Sequence, residues 1–319
     1  MADTGMKSGT EKKELVRMWL PVMGLVAVIA IFGIWSGGRI FMGDNITTII
    51  NQAFTTMMVA SGLAMIYAQG GMDFSPGGVI ALCSLTGVAV ANATGSIVLV
   101  LPMCIITGIG CYAVTGIITV GLNMNPYIGT VSMMFLTRGI VNSVFNVRSF
   151  SSINLGIANN IWFRFACLIV IVFICWILFN RTKIGRASQA YGENQQAAAQ
   201  TGMPLKKYRL IAYMFGGAIV GIATFFYLAR VGNVSTSSGM NEEMNVITAM
   251  ALGGMAMGGG VRTAIRCGVI GSLIISLLVN GLVVCGIAVE WTHGVRGLIF
   301  LVVVAISFVR DKGVKLLPR

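Results

Sequence analysis

The chain has 319 residues, 56% of them hydrophobic and only 10% charged, against about 25% charged in an ordinary soluble domain. A chain this apolar cannot cover a water-facing surface, and no polar stretch is long enough for a separate soluble domain, so the composition points to an all-α integral membrane protein. The net charge of +12 sits on segments flanking apolar runs, the pattern of membrane orientation, which excludes nucleic acid as the expected partner.

Crossing a bilayer takes ~20 apolar residues. On that measure the sequence predicts about ten spans: Trp19–Gly37, Thr47–Tyr67, Val79–Ala93, Ile97–Val120, Tyr127–Phe145, Trp162–Phe179, Tyr208–Ala229, Met244–Met257, Ala264–Cys285 and Gly294–Val309. The eighth is the shortest. None shows the two-residue alternation of barrel strands. The first has the basic flank of a signal peptide, but no small-residue cleavage site clearly follows it, so it is read as a retained anchor. The chain then divides into an N-terminal segment 1–18, a single membrane domain 19–309 and a tail 310–319.

Charge sets the expected sidedness. Lys7, Lys12, Lys13 and Arg17 precede the first span; Arg181, Lys183, Arg186, Lys206, Lys207 and Arg209 lie between the sixth and seventh; Arg310, Lys312, Lys315 and Arg319 follow the last. These are fourteen of the twenty-two Lys and Arg. Placing all three segments in the cytoplasm needs an even number of spans between each pair, and the ten-span list supplies six and then four. Both termini are therefore expected in the cytoplasm. Eight spans with two re-entrant segments would keep the same parity.

Within the spans, polar groups are few. Asn51, Gln52 and Thr55 form a stripe on the second span, and Asn280 lies inside the ninth; such amides either bridge helices or line a solute pathway. Asp73 stands between Gly70-Gly71 and Gly77-Gly78. It or Ser75 is expected to cap the free N–H groups of a helix starting near Pro76; the alternative is a gate at the inner face. Arg138 lies eleven residues into the fifth span, either as an intramembrane functional charge or snorkelling to a surface. Glycine clusters at 70–78 and 253–260 follow apolar runs in each half, the kind of pattern that transporter repeats produce. The seven Cys form no CxxC or Cys/His cluster and read as small buried hydrophobes. With His293 the only histidine, no metal site and no catalytic residue is expected.

The longest polar stretch, 181–209, reads RTKIGRASQAYGENQQAAAQTGMPLKKYR. Good helix formers fill Glu193–Gln200, Gly192 precedes them, and Thr201-Gly202 with Pro204 closes the segment. The expectation is a short polar helix with an alanine face, either a solvated linker or a surface for another chain. No G-x-x-x-x-G-K-[ST] loop occurs, so ATP hydrolysis is not expected here.

This segment resembles the cytoplasmic coupling loop of ribose-type ABC transporter permeases, of the branched-chain amino acid/ribose permease superfamily. The resemblance rests on Ile184, Gly185, Arg186, Ala190, Gly192, Asn194, Ala197, Thr201 and Gly202. Three further stretches agree in order: Gly71-Met72-Asp73-Phe74-Ser75-Pro76-Gly77, Pro126-Tyr127-Ile128-Gly129-Thr130 with Arg138-Gly139, and Leu252-Gly253-Gly254 with Gly258-Gly259-Gly260. Departures at Pro76, Glu193 and Met255-Ala256-Met257 leave room for a non-identical partner permease.

The resemblance implies a type II ABC importer-like bundle in the bacterial cytoplasmic membrane. It implies a second permease subunit, identical or related, two ATPase subunits that bind ATP and Mg, and an extracytoplasmic solute-binding protein. It also implies a ribose-type monosaccharide or related small solute. The coupling residues would be Gly192, Glu193, Asn194, Gln195, Ala197, Ala198, Ala199, Thr201 and Gly202. An ATP-independent secondary transporter or channel is the alternative. It calls for paired acids inside spans, and Asp73 is the single candidate legible in the sequence.

Overall fold

The structure, a computed structural model, describes residues 3–256 and 258–312. Met257, the tail at 313–319, and the side chains of residues 3–18, His293 and 306–312 lie outside the described residues. The described chain is helical, with no strand among the described residues. The long helices are α1 (Asp3–Trp35), α2 (Gly43–Ala68), α3 (Pro76–Thr94), α4 (Val100–Gly116), α5 (Pro126–Phe145) and α6 (Ile161–Arg181). Two short helices follow, α7 (Lys183–Glu193) and α8 (Gln195–Gln200), then α9 (Leu205–Val231), α10 (Glu242–Leu252), α11 (Ile265–Val284) and α12 (Val289–Lys312).

Seven helices among the described residues are long and apolar enough to cross a membrane: α2, α3, the run Ile97–Gly121 that contains α4, α5, α6, α9 and α11. Trp19–Trp35 is a shorter apolar helix. It continues the helix begun at Asp3 through Pro21 without a break. The expected eighth span, Met244–Met257, is corrected: the helix covers Glu242–Leu252 and stops at Gly253. Its 11 residues reach only about 16 Å at ~1.5 Å per residue. The glycine run that follows, Gly253 to Gly260, makes poor helix.

Local chemistry sets the ends. Asn125 accepts from the Tyr127 N–H at 3.0 Å and Pro126 opens α5, where its missing N–H costs nothing. Asn160 does the same for α6, accepting from Trp162 N at 2.9 Å. Gly232, with φ 68°, closes α9, a backbone state that glycine adopts freely.

Helix α2 is the axis of the bundle. Its spanning stretch is 83% buried, against 22% for α6, and every residue from Ala53 to Ala68 is buried. A helix apolar all round belongs at a centre. On the periphery, Ile169 and Phe173 of α6 and Phe135 of α5 are exposed, as lipid-facing side chains are. Helices α4 and α9 touch backbone to backbone. A β-carbon on Gly108 would strike the Gly217 carbonyl, the close approach that small residues permit where lipid removes the hydrophobic drive between helices.

Candidate functional site

At the end of the bundle that holds the N-terminal half of α2 lies a cavity of about 520 Å³, within the size of small-molecule sites. Gln52 and Asn280 meet in its wall. Asn280 Nδ2 donates to Gln52 Oε1 at 2.6 Å and to the Ser276 carbonyl at 2.9 Å. The two amides bridge α2 to α11, the first of the two expected roles, and they also face the cavity.

The first turn of α10 forms another part of the wall. Glu242 Oε1 accepts from the Thr56 hydroxyl at 2.6 Å, and Oε2 from Asn245 Nδ2 at 3.1 Å. Thr56 is midway along α2, so a carboxylate stands at the mid-depth of the bundle. Glu243 points elsewhere, against Gly77 at the start of α3, with its Oε2 buried and without a hydrogen-bond partner. Asp73 is therefore not the single acid within the bundle. In the sequence this pair stands just before the expected eighth span.

Segment 232–241 carries the chain to that depth, and Arg138 fastens it. Its Nη1 donates to the Ser238 carbonyl at 2.8 Å and the Thr236 carbonyl at 3.3 Å. Arg138 does not line the cavity. Arg230 and Arg296 do. Arg230 Nη1 donates to the Asn51 carbonyl at 3.0 Å. The Asn51 side chain turns away to α6, where its Oδ1 accepts from Arg164 Nη1 at 2.8 Å. Asn51 thus supports the site from behind and Gln52 faces it.

Asp73 and Ser75 lie at the opposite end, in the connection from α2 to α3. Asp73 is fully buried. Its Oδ1 accepts from the Ser75 N–H at 2.8 Å and the Ser75 hydroxyl at 2.7 Å; its Oδ2 accepts from the Tyr112 hydroxyl at 2.7 Å. Burial pushes this carboxyl above the usual aspartate range, while the bonds from Ser75 and Tyr112 pull it down. The expected cap is corrected. Ser75 is the N-cap of α3 but makes no side-chain bond to it, and Asp73 instead closes an Asx turn and ties the connection to α4.

The expected helix at Glu193–Gln200 is corrected too. Asn194 is extended (φ −157°, ψ 109°) and its side chain accepts from the Ala197 N–H at 3.0 Å, so it caps α8. Gly192 and Glu193 end α7 instead. Asparagine competes with helical backbone in the interior and serves well at an N-cap. Burial of Gly185, Ala187 and Ser188 overrides the weak helix propensity of glycine and serine in α7. The alanine face is divided: Ala198 is buried, while Gln195, Ala197 and Ala199 are exposed. Thr201 Oγ1 donates to the Ala198 carbonyl at 2.7 Å, and Gly202, at φ 71°, turns the chain toward α9.

Helix α7 is seated on the ends of α2 and α9. Gln69 Nε2 donates to Ser188 Oγ at 3.3 Å, Arg209 Nε donates to Gln69 Oε1 at 3.1 Å, and the Arg209 guanidinium lies 3.7 Å from the Tyr191 ring centre. The Val261 N–H donates to Glu193 Oε2 at 3.2 Å. A β-carbon on Gly192 would strike the Ala68 carbonyl. The two glycine clusters flagged in the sequence meet here: Gly259 packs on Gly70 and on the Ala68 carbonyl.

The amino-acid sequence that builds these features matches a known family. The family described as branched-chain amino acid transport system / permease component covers residues 45–304. The chain belongs to this permease family. It is similar to the fructose import permease protein FruG of Bifidobacterium longum, 26% identical over 92% of both chains. It is similar to the ribose import permease protein RbsC of Escherichia coli, 26% identical over 93% of this chain and 96% of that one. The L-arabinose transport system permease protein AraH of Escherichia coli is 31% identical over 93% of each. No solved structure matches the chain.

Several residues around the cavity and the α7 seat escape sequence reasoning. Glu242 and Asn245 reach the cavity from one turn of α10 and Arg296 from α12, and only Glu242-Glu243, an acid pair beside an apolar run, gives any local signal. Gln69, Ser188, Tyr191 and Arg209 join three helices separated by up to 140 residues. No spacing rule finds such a cluster.

Proposed function

We propose that this permease is the membrane-spanning subunit of an ATP-binding-cassette importer for a monosaccharide or related small solute. The observation that carries the reading is its similarity to import permeases whose names give fructose, ribose and L-arabinose, each over more than nine-tenths of this chain. Solute occupies the cavity, where Gln52, Asn280 and Glu242 offer the amide and carboxylate groups that bind hydroxyls. The chain crosses the membrane ten times, through α1 to α6 and α9 to α12. Segment 232–241 and α10 share one crossing, since irregular backbone at membrane depth is tolerated against protein or a water-filled cavity. Both termini and α7–α8 then face the cytoplasm, and the cavity faces outward.

ATP and Mg bind to a separate ATPase, and solute arrives on an extracytoplasmic binding protein. A second permease subunit completes the pathway. The exposed side of α8, at Gln195, Ala197 and Ala199, meets the ATPase, and Asn194, Thr201 and Gly202 hold that helix at its two ends. Gly192, Glu193 and Ala198 seat the unit on the bundle. ATPase closure then biases a two-state bundle through this handle. The test is uptake of labelled D-ribose into proteoliposomes of the assembled transporter, with A197E and A199E beside the parent chain. Both variants insert and melt normally and lose ATP-driven uptake. Parent-level uptake would refute the handle.

The Glu242–Glu243 pair is the observation that favours the alternative, a secondary transporter driven by an ion gradient. Uptake that ignores ATP and collapses with an ionophore selects it.

A further inference from the structure

We propose that the cavity takes a polyhydroxylated solute bearing one anionic group, a sugar acid, in preference to the neutral sugar. This rests on the cavity being the solute pathway. Its lining holds two guanidinium groups, Arg230 and Arg296, and among the described residues one carboxylate, Glu242. One positive charge is left over.

Glu242 offsets part of the charge on Arg296 through space, while its hydrogen bonds go elsewhere. Both of its oxygens are engaged, by Thr56 and Asn245. The Nε of Arg296 is buried with no hydrogen-bond partner. Arg230 bonds the Asn51 carbonyl through Nη1, one of the five donors a guanidinium carries. Behind Asn51, Arg164 is 5% exposed, and its Nε and Nη2 are also buried without partners. Two guanidinium groups therefore line the cavity, from α9 and α12, with Arg164 of α6 behind Asn51 over the Phe54 ring, against one acid facing the space. Glu243 faces α3, on the side of Arg138.

Buried guanidinium N–H groups left without an acceptor are costly, and low-dielectric walls focus the charge into the adjoining space. A carboxylate supplies what this lining lacks. It is charged oppositely and accepts from several N–H groups at once. The hydroxyls of the same solute suit Gln52, Asn280 and Ser276. A neutral sugar would leave the excess charge as it stands.

The test uses a matched pair, D-galacturonate and D-galactose, which share a ring and differ at C6. The full-length permease in lipid nanodiscs is titrated with each, and melting temperatures are recorded for every variant. Galacturonate is expected to bind tighter by roughly tenfold, the scale of one charge-assisted hydrogen bond, with the margin shrinking as salt rises. R296Q abolishes the preference and R296K, which keeps the charge, retains part of it. R230Q serves as the second variant should R296Q fail to fold. Galactose bound as tightly as galacturonate overturns the proposal and leaves the pathway reading standing, as does a preference that survives both glutamine variants. Binding of neither compound overturns the proposal, and absence of ribose uptake as well would remove the pathway reading.

Discussion

The two ends of α2 are built from different materials. Between Thr48 and Thr56 it borders open space through hydroxyls and an amide. Near Ala68 it borders backbone, because Gly192 and Gly259 bring α7 and the 253–260 segment onto its last carbonyl groups. Side-chain hydrogen bonds can be exchanged for others at a net cost of about 1 kcal/mol each. Close-packed backbone contacts cannot yield without moving a whole helix. The cavity end can therefore reshape around a solute, while the α7 end moves as a block. The proposed coupling to a separate ATPase would use that division.

Substitutions can break or sharpen this contrast. The largest effect is expected from Gly192→Val, whose β-branched side chain meets the Ala68 carbonyl; overpacking of this kind costs about 3 kcal/mol or more. The melting temperature should fall steeply, and a near-parental value would show that the α7 end is softer than its contacts imply. Arg209→Ala comes next. It removes the bond to Gln69 and the stacking on Tyr191, together about 2–3 kcal/mol, and chemical denaturation in mild detergent measures it. Asn194→Ala strips the cap of α8, worth about 1 kcal/mol. Amide exchange should then rise across residues 195–200 and stay level in α7.

Smallest in stability is Asn280→Ala at the cavity end. Interhelical hydrogen bonds in membranes average about 0.6 kcal/mol, so the melting temperature should barely move while solute affinity falls. A stability loss larger than that of Asn194→Ala would mean that the cavity wall is as rigid as the α7 end.

Much of the architecture could be read from the chain. Long apolar runs name their own helices, since lipid demands that each span satisfy its backbone internally. What stayed hidden depends on depth and on glycine. Helix α10 is too short to announce itself, so Glu242 looked like a loop acid rather than a group facing Thr56 at mid-bundle. Helix α7 holds Gly185 and Gly192, which argue against helix locally but fit where α7 meets backbone. Asn194 reads as helix interior beside its glutamines and alanines, although its side chain favours a cap. Gln52 and Asn280 are plainer, because amides in apolar spans have few purposes, and the bond between them bridges α2 and α11. Arg138 was equally conspicuous, but its partners, two carbonyls about a hundred residues away, leave no mark in the sequence.

The central claim is that the exposed side of α8 is where a separate motor takes hold of the bundle. It is tested most directly by a photo-crosslinking residue at Ala199, irradiated in the intact membrane with the partner ATPase present. The account predicts a covalent adduct with the ATPase, formed from the cytoplasmic side and altered when ATP is bound. No adduct, or labelling of the same position by a membrane-impermeant reagent added outside the cell, would contradict it.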